Sequence, residues 1–428
     1  MAIENRPIET IGDVGTISEL YGKDLDQGDE LLLPYPTSDP ARDSDPNQDK
    51  FYIQDGSTAD VRVSNGTRRV LEPGRHAALL GRGIKGLVTQ PIPDVLIACL
   101  KDQFDFDPET VEVLPPETYC DVINAEQRRV LTLFPYDRIH KDRCVIDPEK
   151  HYRLLSKEWL ITGEFPSPES HIMNFDNDLE SVITGIRMLL KTPRLVKTLH
   201  GLSGDGQKIA REPKDLSAAL DFIEAYARYQ PLEKIILQDL IPHTINHGIQ
   251  FYLSKSGTIR LMGVANQVVD REGHYMGGLV NYDENIPAAY TPIIQRAASL
   301  CFQAGYFGIV GLDIITDQRD DEPKVIDANL RLTGMTPAYL LKPKLTSTGN
   351  SRALLSTEFI SHRPLDETLA ACRTAMNYNI LAVLSALQVD GSRTKVYGVI
   401  AGKDEGSLAK NRKRIENCGL VIPGKWEN

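Results

Sequence analysis

Apolar and polar positions along the chain follow two rhythms, and their alternation predicts an α/β protein. IKGLVTQPIPDVLIACLKDQFDFDPETVEVL (residues 84–114) reads as a strand, a proline turn, an amphipathic helix and a second strand, the pattern of a small α/β layer. DPEKHYRLLSKEWLITG predicts one amphipathic helix ending at Thr162–Gly163, followed by an extended Pro-rich segment. DLESVITGIRMLLK (178–191) and KDLSAALDFIEAYARY (214–229) have helical apolar spacing, whereas RLVKTL and QKIA read as strands on either side of the turn HGLSGDG (200–206). KIILQDLI, IQFYLSK and TIRLMGVANQVV follow as successive strands, then a helix over 290–306 that ends on glycine. GIVGLDIITD and KVIDANLR, joined by the charged turn QRDDEP, predict a hairpin. From about 346 onward a helix over 367–388, the strand KVYGVIAG and a Lys- and Glu-rich helix predict a small α/β appendage. Residues 1–28 are polar without clear period and read as a mobile tail, and 34–50 is rich in Pro, Asp and Ser and reads as a loop.

At 428 residues the chain exceeds one ordinary core, so two or three subdomains around a cleft are expected. Hydrophobic residues at 41% and charged residues at 25% are the balance of a soluble globular protein. The net charge of −11, with no Lys/Arg cluster, argues against nucleic acid or an anionic membrane as the main partner. Six cysteines lie scattered without a CxxC pair, which fits free thiols in a reducing compartment. The N-terminus shows no basic start followed by an apolar run, and nowhere do about 18 apolar residues stand together, so a cytoplasmic location is expected.

The candidate chemistry concentrates in KVIDANLRLTGMTP (324–337), where Asp327, Asn329 and Arg331 occupy every second position and would leave one face of a strand. The hairpin would bring Asp313 of GLDIITD beside them. Two carboxylates and an amide oxygen suit magnesium, with manganese as the alternative ion, and Arg331 suits a carboxylate or phosphate. The competing reading is a pair of solvated strand-end acids. Lys197 leads into Gly201, Ser203, Gly204 and Gly206, a flap whose backbone N–H groups could close over phosphates, although no Walker A sequence follows and glycine turns are common in hairpins. Gln238, Asp239, Leu240 and Ile241 end a strand where backbone groups could meet an adenine edge. Gln267, Arg271 and His274, in NQVVDREGHYMGG, are candidates for contacting substrate, the alternative being an ordinary exposed loop.

The order of these features resembles the ATP-grasp superfamily over roughly residues 146–342, and "DANLRLTGMTP" with the C-terminal "YGVIAGKD" looks most like the pheganomycin-type peptide ligases of specialised metabolism. The resemblance implies an α/β fold of α+β ATP-grasp type. A pre-ATP-grasp α/β domain (29–145) would follow the tail (1–28), and the ATP-grasp domain (146–345), two subdomains clasping the nucleotide, would precede the C-terminal α/β segment (346–428). It further implies an ADP-forming ligase that joins a small-molecule carboxylate to an amine through an acylphosphate, with ATP and Mg2+ as cofactors and a homodimer as one option. By the same resemblance Lys150 is the helix-start lysine, Lys197 the flap lysine, and Asp313, Asp327 and Asn329 the metal set. Arg331 and the Gly334 amide would hold the reacting carboxylate. Gln238 stands where the hinge often has an acid, which leaves the ribose to Asp239, Asn246 or His247. The rival readings are an ATP-grasp kinase or carboxylase, and a non-catalytic ATP-binding regulatory module.

Overall fold

The computed structural model describes residues 6–35, 70–136, 138–174, 184, 186, 193–201, 206–211, 215–229, 234–269 and 273–422. Most of the expected loop over 34–50, most of the helix over 178–191, and Ser203, Gly204 and Arg271 lie outside them.

The N-terminal stretch from Ile8 is built into the fold. Strand β1 (Ile8–Thr10) pairs in parallel with a strand of the large sheet, and the helix Ile17–Tyr21 buries Ile17, Leu20 and Tyr21 behind a Thr16/Glu19 capping box. The expected tail at 1–28 is therefore corrected from residue 8 onward. Three short apolar residues and a cap are enough where the partner surface is already formed, and no single-sequence period announces them.

Strands β2 (Glu30–Leu32), β3 (Gly86–Val88), β4 (Val111–Val113) and β5 (Val130–Thr132) form a parallel sheet in the order β4-β3-β2-β5. The expected strand, helix and strand over 84–114 are β3, the helix Asp94–Gln103 and β4. Strands β6 (Ser170–Asn174), β7 (Arg194–Thr198), β8 (Gln207–Ala210) and β9 (Lys234–Asp239) make a second, antiparallel sheet ordered β6-β9-β7-β8, covered by the helix Leu216–Tyr229.

The third sheet holds β10 (His243–Leu253), β11 (Ile259–Val269), β12 (Tyr275–Asn281), β13 (Gly308–Asp317), β14 (Pro323–Asn329), β15 (Arg352–Ser361), β16 (Leu381–Asp390) and β17 (Arg393–Gly402). Its order is β14-β13-β10-β11-β12-β15-β17-β16, with β1 attached to β11. The three C-terminal strands thus extend the same sheet that carries the β13–β14 hairpin, and the C-terminal segment is continuous with it rather than hung from it. The helix expected over 367–388 stops at Asn377: Asn379 takes a left-handed φ of 53°, and LAVLSALQVD becomes β16. That run is apolar without a helical stripe, and pairing with β17 along its length decides its state.

The helix read as ending at Thr162 is two helices, Pro148–Leu155 and Glu158–Thr162. Ser156 is extended between them (ψ 135°), its hydroxyl accepts from Glu158 N at 3.2 Å, and Lys157 N donates to Leu199 O at 2.8 Å. On the first helix His151 is buried, with Nε2 2.9 Å from Leu330 O, and burial pushes its pKa down to about 4. The unfolded chain therefore binds a proton that the folded one refuses, so stability is full above about pH 6.5 and falls as the pH drops toward 4. Urea melts at pH 7 and pH 5 should differ by about 2 kcal/mol on this account, and His151→Gln should remove about that much of the difference. An unchanged pH dependence in the variant would refute the assignment.

Candidate active site

A cleft of about 620 Å³ opens between the second sheet, the large sheet and the N-terminal unit, and each contributes a wall. The antiparallel sheet supplies Lys197 and the stretch Gln238–Ile241, the large sheet supplies Asn246, Gln250, Gln267, Asp313, Asp327 and Asn329, and the N-terminal unit supplies Tyr35, Glu72 and Arg75.

The β13–β14 hairpin places Asp313 and Asp327 as direct cross-strand partners, with Gly311 opposite Asn329 and a register shift after Asp313. Alternation then carries Asp327, Asn329 and Arg331 onto the cleft side while Ala328 and Leu330 enter the core. Asp313 is held from behind: Gln267 Nε2 donates to its Oδ1 at 2.7 Å. Gly248 on β10 makes that reach possible, because a Cβ there would stand 2.7 Å from Gln267 Nε2. Burial, and then the neighbouring Asp327, push the Asp313 carboxyl pKa upward. Two carboxylates in a dry site repel, and a divalent cation between them would relieve both burial and repulsion. Among the described residues no three His, Cys, Asp or Glu side chains converge, so the third protein donor for such an ion would be the Asn329 amide oxygen. That oxygen accepts from Arg331 Nη2 at 2.7 Å and keeps a second lone pair. An all-oxygen set of this kind fits magnesium.

Lys197 is 4% exposed, donates to Gln238 Oε1 at 2.6 Å and to Ile326 O at 3.2 Å, and burial above all pushes its pKa down to about 8. Lys157 also lines the cleft, and its Nζ stands 3.4 Å from Asp327 Oδ1. Lys150 is not in the cleft. It is exposed on the first helix, and its ammonium lies beside Gly305. The resemblance pointed to the lysine at the helix start, but the break at Ser156 turns the chain so that the lysine after it faces the acids. A continuous helix would have hidden this.

At the end of β9, Asp239 N donates to Glu169 O at 2.8 Å and Leu240 N to Pro193 O at 3.1 Å, and Ile241 lines the cleft just beyond. Asp239 is engaged in an ion pair with Arg194. His247 faces away: strand alternation puts Asn246 and Gly248 on the cleft and His247 on the other side, where its Nδ1 meets Tyr290 OH at 2.9 Å. Asn246 Oδ1 is buried without a hydrogen-bond partner among the described residues, and it lines the cleft. Gly201 and His274 line it as well, and Gly206, at φ 82°, turns the chain into β8. The segment around Gln267 and His274, for which an exposed loop was the alternative, is largely strand: β11 runs to Val269 and β12 begins at Tyr275.

Arg331 is buried, with its guanidinium over the Phe134 ring at 4.9 Å and Nη1 donating to Leu332 O at 3.2 Å. The loop after it is fixed by Gln250, which donates to Thr333 Oγ1 and accepts from Thr336 Oγ1 at 3.0 Å. Gly334 lies against Tyr275, and a Cβ there would stand 2.8 Å from the ring. Gly334→Ala should therefore cost about 1–3 kcal/mol of stability by overpacking and weaken turnover by displacing this loop. Melting of Gly334→Ala, Tyr275→Ala and the double variant tests this, since an equal cost in both backgrounds would mean that the ring is not the obstacle. Lys157, Gln250, Tyr275, Glu72 and Arg75 are functional candidates that the sequence pattern did not single out. A buried glutamine or tyrosine carries no local signal of its role, and the last two come from another unit of the chain.

Residues 174–329 match the ATP-grasp L-aspartate–L-methionine ligase family. Among solved structures the chain is similar to N5-carboxyaminoimidazole ribonucleotide synthetase from Thermus thermophilus, at TM-score 0.55 and 15% identity over 83% of this chain and 97% of that one. It is similar also to phosphoribosylamine–glycine ligase from Thermotoga maritima, at TM-score 0.53 and 11% identity over 82% and 96%. The chain has the ATP-grasp fold. The antiparallel sheet that carries Lys197 and the large sheet that carries the acids both line the cleft. Among curated proteins, the [butirosin acyl-carrier protein]–L-glutamate ligase of Niallia circulans is 28% identical over 174 residues, 39% of this chain and 40% of that one. The C-terminal section of the carbamoyl phosphate synthase large chain of Methanopyrus kandleri is 24% identical over 226 residues, 52% and 38% respectively. The chain thus spans about 40% of the length of these curated relatives. No described helix is long and apolar enough to cross a membrane.

Proposed function

We propose that this ATP-grasp chain is an ATP-dependent carboxylate–amine ligase that forms an amide or peptide bond and releases ADP and phosphate. The observation that carries the reading is the convergence, in one cleft, of the acids Asp313 and Asp327, the lysines Lys157 and Lys197, and the buried Arg331. The ligase family matched over 174–329 and the glutamate ligase of Niallia circulans support it. ATP would lie with its adenine at Ile241 and its ribose toward Asn246. A magnesium ion held by Asp313, Asp327 and Asn329 would neutralise phosphate charge and orient the γ-phosphoryl group.

Lys197 and Lys157 draw the phosphates toward the acids, and Arg331 aligns the substrate carboxylate. One carboxylate oxygen bonds to the γ-phosphorus as the bond to the β-phosphate oxygen breaks, which yields an acylphosphate and ADP. The amine nitrogen then adds to the acyl carbon, inorganic phosphate leaves, and the amine's proton departs with it. Charge developing on the acyl oxygen faces Arg331 and the backbone near Gly334. No protein nucleophile enters, so rate depends on positioning and on a dry site.

The test is magnesium-dependent ADP and phosphate release with pools of amino acids and other carboxylates, read together with product mass. Condensed product with stoichiometric ADP supports the ligase. A phosphorylated product without condensation would show a kinase, and ATP binding without consumption by any pool would show a binding module.

A further inference from the structure

Buried tyrosines near the cleft commit their hydroxyls to the fold. Tyr339 OH donates to Gly248 O at 2.9 Å, Tyr282 OH to Ala338 O at 2.7 Å, and Tyr397 OH to Gly334 O at 2.8 Å. Tyr275, the first residue of β12, does not: its hydroxyl is closed to solvent and has no hydrogen-bond partner among the described residues. An unpaired buried hydroxyl costs stability that a phenylalanine of the same shape would not, so packing gives no account of this oxygen. Its place does. Tyr275 lines the cleft together with Arg331 and Gly334, and its side chain lies against the glycine. A Cβ on Gly334 would stand 2.8 Å from the Tyr275 ring and 3.3 Å from the hydroxyl oxygen. Burial above all pushes the Tyr275 pKa upward, so the group stays a neutral hydroxyl with a proton to donate.

We propose that the Tyr275 hydroxyl is a catalytic hydrogen-bond donor to the acyl oxygen in the amide-forming step, beside Arg331 and Gly334. This rests on the ligase reading above. The amine nitrogen forms its bond to the acyl carbon while the carbonyl π pair moves onto the acyl oxygen, and the hydroxyl donates to that oxyanion without giving up its proton. The pair then returns, and the bond from the acyl carbon to the phosphate oxygen breaks. Phosphate leaves with those electrons and with the proton shed by the amine. A neutral phenol fixed against Gly334 favours the tetrahedral state over the planar acylphosphate, because charge concentrates on the acyl oxygen only in the former. Phosphoryl transfer instead draws charge off the carboxylate, so the two halves of the reaction should respond differently to loss of the hydroxyl.

The experiment uses the full chain as wild type, Tyr275→Phe and Tyr397→Phe, with MgATP and the acid and amine that the wild type condenses from the amino-acid and carboxylate pools. ADP and amide are followed by rapid quench over a single turnover. In Tyr275→Phe, ADP should form within a few-fold of the wild-type rate while conversion of acylphosphate to amide slows about a hundredfold, so that acylphosphate accumulates. The KM for ATP should stay within a few-fold. The melting temperature of Tyr275→Phe should equal or exceed that of the wild type, since the substitution removes an unpaired polar group. Tyr397→Phe, which strips Gly334 O of its donor, should melt lower. An amide rate close to wild type in Tyr275→Phe, or ADP and amide slowed alike, would overturn the role of Tyr275 and leave the ligase standing. So would a fall in melting temperature like that of Tyr397→Phe, which would mark a structural hydroxyl. If the wild type consumes ATP with no acid and amine of the pools, the ligase reading itself fails and this role falls with it.

Discussion

Arg331→Ala is expected to reduce amide-bond formation by about a thousandfold while ATP still binds, because on the proposed ligase reading this buried cleft guanidinium meets the reacting carboxylate. Its loss would act twice. The side chain donates to Asn329 Oδ1, so its removal also frees the amide that would complete the metal set. It also covers Phe134, and Leu332 O would lose its donor. Arg331→Lys separates these roles, since it keeps a charge but lacks the fork that reaches Asn329 and a carboxylate together. A lysine variant about as impaired as the alanine one points to geometry, and a nearly wild-type rate would mean that charge alone suffices. Nucleotide affinity measured by titration should stay within a few-fold in both variants. If affinity collapses as well, Arg331 supports the fold of the cleft rather than the carboxylate.

Asp327→Asn is the second large effect: ADP release at saturating magnesium should fall by about three orders of magnitude, and the magnesium needed for half of the residual rate should rise. Asp327 is the acid opposite Asp313 and the partner of Lys157, so the substitution leaves that lysine without its carboxylate. It also removes repulsion from Asp313, and thermal stability without magnesium should hold or rise even as activity disappears. That opposition separates a functional acid from a structural one. Equal loss of stability and activity would place Asp327 among the supports of the hairpin.

Much of this site is legible in the amino-acid order. The hairpin is readable because GLDIITD and KVIDANLR are strands with a charged turn between them, and a period of two then puts Asp327, Asn329 and Arg331 on one side. Lys197 is readable for a similar reason, as a lysine in an apolar strand beside glycines. His247 and Lys150 show the limits. Asn246 and His247 are adjacent polar residues in one strand, and only the burial of one face selects Asn246 for the cleft. Lys150 and Lys157 both sit in helical pattern, and the selection of Lys157 turns on Ser156, whose extended backbone is sustained by the bond from Lys157 N to Leu199 O in a different sheet region.

The sequence by itself determined the strands that bear the acids and Lys197, because alternation and local turn chemistry act over a few residues and need no partner. Tertiary structure alone decided which lysine meets Asp327, that Ile17, Leu20 and Tyr21 join the core, that LAVLSALQVD is a strand, and that Glu72 and Arg75 share a cleft with Arg331. Each of these depends on contacts between segments far apart in the chain, where burial of a face or pairing along an edge outweighs local preference, and no local pattern carries that information.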